Sequence, residues 1–160
     1  MDSDIVKILL ALFLVLLNGF FVAAEFSIVK VRYSQIQLKA AEGNAMAKQA
    51  EIIIKQLDSY LSATQLGITL ASLALGWVGE SAMHHVVENL LHYFNFELAE
   101  STVTTISLIL SFTIITVLHI VFGELVPKSI AIRKAESTTM AIAYPLRWFT
   151  IVFKPFIWTM

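Results

Sequence analysis

The sequence predicts an all-α membrane protein with three transmembrane helices and a juxtamembrane, interfacial helix. Three observations predict it. The 160 residues are 58% hydrophobic and only 14% charged, against about 45–50% and about 25% in soluble domains. Three separate stretches are apolar over the roughly 20 residues that a bilayer crossing requires. Basic residues collect in alternate connecting segments, as they do in polytopic membrane proteins. Composition also excludes classes of function. A formal net charge of -1 leaves no basic face to neutralise nucleic-acid phosphates, so no nucleic-acid partner is expected. The absence of cysteine removes disulfide frameworks, thiolate metal sites and cysteine nucleophiles together.

The first stretch runs from about Ile5 to Val29, with Lys7 and Glu25 as its only charges. A signal peptide would have a basic start, a shorter apolar region and a small-residue cleavage site. Ala23-Ala24-Glu25 fits that poorly, so the stretch reads as a true span. The second runs from Leu61 to Val78 without a charged side chain, but holds Ser62, Thr64, Gln65, Thr69 and Ser72. Its Gly67 and Gly76, with Gly79 just after, permit close helix approach in lipid. The third runs from about Val103 to Phe122, with His119 near its end. A fourth, Met140 to Trp158, is interrupted by Pro145, Arg147, Lys154 and Pro155. Its aromatics, among them Tyr144, Trp148 and Trp158, suit a helix lying at the membrane–water interface. Between the first two spans, Ile36, Ala40, Met46, Ala50, Ile53 and Leu57 recur near a 3.6-residue period. Gly43-Asn44 interrupts that pattern, which predicts two helices or a kink.

Loop charge sets the expected orientation. Lys30, Arg32, Lys39, Lys48 and Lys55 lie between spans one and two, and Lys128, Arg133 and Lys134 follow span three. The intervening 80–100 segment reads as an acidic loop, with Glu80, Glu88, Glu97 and Glu100 and no Lys or Arg. The N-terminus and that loop are therefore expected outside, the two basic segments inside, and the C-terminus in the cytoplasm of a multi-pass inner or plasma membrane protein. The ending at Met160, just after an aromatic run, reads as a fragment of a longer chain that continues into a soluble domain.

Ionisable groups inside a membrane are functional-site hypotheses by default, because burying an unpaired charge in lipid is costly. Two carboxylates qualify, Glu25 in the cytoplasmic half of span one and Glu124 at the end of span three. Glu124 is the stronger. It follows Gly123 and precedes Pro127, and both residue types free backbone groups by breaking helical hydrogen bonds. Broken helix ends of this kind are tolerated in a membrane only where protein or a polar cavity satisfies them. Freed carbonyls beside a carboxylate make a plausible pocket for a hard cation. Asn18 lies well inside span one, with Val22 one turn on and Glu25 a turn further. In span two, Gln65, Thr69 and Ser72 share a face as a polar seam. For any one of these hydroxyls the ordinary role is a bond back to its own helix. Oxygen ligands without His or Cys favour Mg2+ or Ca2+ over zinc or copper. His84, His85 and His92 in the acidic segment do not match a recognised zinc spacing. No phosphate loop and no nucleophile–base pair is readable, so an enzyme is not expected.

Three blocks carry a family resemblance. Asn18 to Arg32 opens N-G-F-F-V-A-A-E-F and continues into V-K-V-R; Tyr60 to Glu80 reads Y-L-S-A-T-Q-L-G-I-T-L-A-S-L-A-L-G-W-V-G-E; Phe122 to Ser129 reads F-G-E-L-V-P-K-S. In this order they resemble the DUF21 transmembrane domain of the CorC/CNNM magnesium transporter family across nearly the whole chain. The resemblance implies a homodimer in the lipid bilayer, with a cation site open to the cytoplasm and a cytosolic CBS-pair domain following in the full-length protein. It implies Mg2+ as transported ion, efflux as direction and Na+ as a coupling ion. It implies cation binding by Gly123 and Glu124. Several positions depart from the family pattern: Asn18 and Val22 stand where many members have Ser, Ser72 where many have Asn, and Ile68 where some have Asn. Val22 therefore offers only its backbone carbonyl. The expected metal set is Glu124, Gly123, Ser72, Asn18, Val22 and Glu25. Two other readings remain open, a polyamine exporter of the same family and a membrane-anchored sensor that does not transport.

Overall fold

A computed structural model describes residues 2–93 and 100–158, and among these every regular element is helical. The order is α1 (Asp2–Lys30), α2 (Tyr33–Ala41), α3 (Ala45–Lys55), α4 (Leu57–Tyr93) and α5 (Glu100–Leu118). A π-helical segment, His119–Leu125, continues α5 directly into α6 (Val126–Arg133), and α7 (Ala135–Val152) and α8 (Lys154–Ile157) follow. Three stretches are long and apolar enough to cross a membrane: Ile5–Lys30, Leu57–Leu91 and Ser101–Arg133. The fourth apolar stretch forms α7 and α8, packed on α1, α3 and α4, and is not among them.

The second span is longer than its sequence reading. The segment read as an acidic loop stays helical to Tyr93, with Leu75, Ala82 and Val87 buried at helical spacing and Ala82 packed in the core shared with α1 and α5. His84, His85 and His92 therefore lie on α4. Asn95 and Glu97 lie outside the described residues.

The Gly43-Asn44 interruption takes the form of a tight turn. Gly43 has φ 94°, in the left-handed region that glycine enters without steric cost. Its N–H and that of Asn44 donate to the carbonyls of Ala40 and Lys39, which closes α2. The Asn44 side chain then caps α3 by accepting from Ala47 N–H at 3.1 Å. Ile36, Ala40, Ala50 and Ile53 face the core as their period predicts, whereas Met46, in the first turn of α3, is exposed. On the surface, Lys55 and Tyr33 donate to Glu51 and hold its carboxyl below the ordinary range.

α1 is the central helix. One apolar core, with Phe21, Ala24, Ile28, Ile53 and Leu146, joins it to α2, α3 and α7; a second, with Ala11, Val15, Leu75 and Ile115, joins it to α4 and α5. Glycines sit at the tightest crossings. A Cβ on Gly67 would lie 2.5 Å from the Phe21 ring, and one on Gly79 would lie 2.7 Å from Ile115. Outward-facing Leu9, Phe13, Leu16, Leu73, Trp77 and Phe112 are exposed, as side chains that meet lipid would be. Lys128 sits 4.3 Å above the Phe26 ring and ties α6 to α1.

Candidate functional site

Between the two apolar cores, all three spans meet at a polar junction. Its origin is Pro127. Proline has no N–H and its ring crowds the carbonyl four residues earlier, so the Gly123 carbonyl loses its α-helical donor. The helix does not open there. It widens into the π-helical turn His119–Leu125 and keeps going, and insertions of this kind recur at functional sites. That carbonyl meets a donor from another span: Asn18 Nδ2 donates to Gly123 O at 2.9 Å, buried. Asn18 Oδ1 in turn accepts from Ser72 Oγ at 3.1 Å, and Ser72 Oγ lies 3.5 Å from His119 Nε2. The loop thus begins and ends on the π-helical turn after passing through span two and span one.

Glycine makes the approach possible. A Cβ on Gly123 would lie 2.7 Å from His119 Cδ2 and 3.2 Å from Asn18 Nδ2, and a Cβ on Gly19 would lie 2.9 Å from Pro127 Cγ and 3.0 Å from Phe122 O. Both are closer than real Cβ contacts, so the backbones of α1 and the π-helical turn touch only because neither residue carries a side chain. A cavity of about 170 Å3 adjoins the junction, lined by Ser72, Gly76, Phe112, Ile115, Thr116 and His119 among others.

The expected site residues divide into two groups. Asn18, Ser72 and Gly123 come together directly, and Val22 is buried one turn along α1 from Asn18. Glu25 is half-buried, Glu124 is exposed, and neither has an ion pair or hydrogen bond among the described residues. The seam along α4 does not gather: Thr69 is exposed and bonds back to Gln65 O at 2.9 Å, leaving Ser72 as the member that reaches another span. His119 is the junction residue that sequence reasoning missed. Its signal was its place four residues before Gly123, one turn from the break. Among the described residues no three His, Cys, Asp or Glu side chains gather as a metal cluster. A cation held here would take neutral oxygens for most of its shell: Asn18 Oδ1, Ser72 Oγ and the Gly123 carbonyl.

Comparison with known proteins agrees with this architecture. The family model "Cyclin M transmembrane N-terminal domain" matches residues 9–160. The UPF0053 protein YhdT of Bacillus subtilis (strain 168) is 47% identical over 158 residues, 98% of this chain and 33% of that protein. UPF0053 protein YhdP of the same organism is 46% identical over 157 residues, 97% of this chain and 34% of that protein. A protein of Haemophilus influenzae (strain ATCC 51907 / DSM 11121 / KW20 / Rd) named "Polyamine export protein" is 25% identical over 145 residues, 91% of this chain and 33% of its own length. The chain spans about a third of the length of these relatives.

Proposed function

The chain belongs to the family of cyclin M transmembrane N-terminal domains, and from that premise we propose that it carries Mg2+ across the membrane through the junction of Asn18, Ser72 and Gly123. One observation carries the reading: neutral oxygens from three spans converge at the single turn where the helix ladder is interrupted. A dehydrated Mg2+ takes near-octahedral oxygens at about 2.0–2.1 Å, so adjacent ligands lie about 2.9 Å apart. The 3.1 Å between Asn18 Oδ1 and Ser72 Oγ is close to that edge. The hydrogen bonds of the junction then stand in for the cation, and binding replaces them. Glu124, next to Gly123 and unpaired, supplies charge on rotating inward; Glu25 is the second carboxylate, and Val22 contributes its carbonyl.

The remaining parts of the reading follow from charge and family. The Lys-rich 30–55 segment and Lys128, Arg133 and Lys134 support a topology with the basic ends of the spans in the cytoplasm, the N-terminus outside and the pocket loaded from within. We assign efflux as the direction, Na+ as the exchanged ion, a homodimer in the plasma or inner membrane, and a cytosolic CBS-pair domain in the longer protein.

The name of the Haemophilus influenzae relative favours a second reading, polyamine export. Glu25 and Glu124 would then meet ammonium groups. Proteoliposomes containing a Mg2+-sensitive dye separate the two. Mg2+ flux in the wild type, abolished in Glu124→Ala and not competed by spermidine, is the expected result. Undiminished flux in Glu124→Ala contradicts the assignment of that carboxylate. Spermidine transport without Mg2+ flux moves the protein to the second reading.

A further inference from the structure

Away from the junction, two cations share a groove between α4 and the α7–α8 corner. Arg147 and Lys154 line a cavity of about 210 Å3 together with Gln56, Ser59, Tyr60 and Thr150. Ser59, Thr150 and Lys154 also line an adjoining cavity of about 400 Å3 that reaches Asp58 and Trp158. Two cations of the neighbouring helices are paired, Lys39 with Glu136 and Lys55 with Glu51, whereas Arg147 and Lys154 stand together in one cavity. Arg147 and Lys154 have no carboxylate partner among the described residues. Arg147 is half-buried and spends one N–H on the neutral Gln49 Oε1, which leaves donors of its five-donor fork for another acceptor.

The surroundings decide what that acceptor is. Beside the groove, Trp148, Ile151, Val152, Phe156 and Trp158 face outward, with Trp148 70% and Trp158 88% exposed. An aromatic and aliphatic face of this kind, on a chain with three membrane-length spans, lies among lipid at the headgroup level. A guanidinium matches the geometry of phosphate oxygens, and a lysine adds a point charge to them. Basic pockets between membrane helices on the cytoplasmic side bind anionic lipid headgroups by this chemistry.

We propose that Arg147 and Lys154 form a binding site for the phosphate of an anionic phospholipid, with Ser59 as hydroxyl donor and the acyl chains along Ile151, Val152 and Phe156. Asp58 lines the adjoining cavity with Ser59 and Lys154, and its carboxylate repels a second phosphate there. The site is separate from the cation junction; it rests on the proposed topology and not on the identity of the transported ion.

Titration of detergent-purified protein with short-chain dioctanoyl phosphatidylglycerol tests it, with dioctanoyl phosphatidylcholine and inorganic phosphate in parallel. Saturable binding of phosphatidylglycerol is expected, at least tenfold weaker in Lys154→Gln and in Arg147→Gln, and unchanged in Lys7→Gln at the other end of α1. Lys154 is exposed and unpaired, so its variant folds even if loss of the Gln49 contact unfolds Arg147→Gln. Equal binding of phosphatidylcholine, or wild-type affinity in Lys154→Gln, overturns the proposal. Inorganic phosphate binding as tightly as the lipid would assign the groove to a free anion and overturn the lipid assignment.

Discussion

Pro127 withholds one N–H, and the residue it affects most is on another helix. The Gly123 carbonyl, which loses its α-helical donor to Pro127, is met by Asn18 at 2.9 Å, and an unpaired group of this kind inside a membrane costs several kcal/mol. That the Gly–Pro spacing frees a carbonyl was readable in the sequence. That Asn18 answers it was not, since residues 105 apart carry no shared period. His119 was marked only by its place one turn before Gly123, since a lone histidine at the end of an apolar run carries no other pattern. The junction makes a residue-level prediction. Gly123→Ala puts a methyl 2.7 Å from His119 and should lower stability by about 1–3 kcal/mol, the usual cost of overpacking. Gly76→Ala adds a methyl with nothing within 4 Å and should leave stability unchanged or raise it by up to about 1 kcal/mol, from the lower chain entropy of alanine. Thermal unfolding in detergent measures both.

At the scale of elements, hydropathy and glycine placement made most of the fold legible. Three spans, a break at Gly43-Asn44 and a fourth helix apart from the spans could all be read, because each rests on local chemistry: apolar length, a left-handed glycine, interfacial aromatics. Charge content misled where periodicity was the better guide. Glu80, Glu88 and three histidines read as a loop, yet α4 runs through to Tyr93 with Ala82 and Val87 buried at helical spacing. The π-helical turn was legible only as an interruption, since a wider turn and an open break leave the same trace in sequence. Helix crossings are set by glycine, and this can be tested. Gly67→Ala forces a methyl into the Phe21 ring at 2.5 Å, where the ring already packs on Phe149 with centroids 4.7 Å apart. With no room for the ring to give, α1 and α4 must separate. The variant should unfold at lower temperature, by about 1–3 kcal/mol of stability, while Phe21→Leu combined with Gly67→Ala should recover part of the loss.

For the molecule as a whole, α1 links two apolar cores, and the polar junction lies between them, near the middle of the helix. That placement joins structure to the proposed transport. Closed by its own hydrogen bonds, the junction ties the three spans together; in the proposed transport a cation would exchange those bonds for metal–oxygen contacts. The π-helical turn, with its looser ladder, is the part able to shift between the two arrangements. Neutral donors alone would hold Mg2+ weakly, which is why the account needs Glu124 as well as Asn18. The central claim is that Asn18 sits in the cation's shell. Isothermal titration of Mg2+ into detergent-purified wild type and Asn18→Leu tests it directly, with circular dichroism confirming that the variant keeps its helices. Saturable Mg2+ binding in the wild type, weakened at least tenfold in Asn18→Leu, is the predicted result. Mg2+ binding of equal strength in the two proteins would contradict it and place the ion elsewhere.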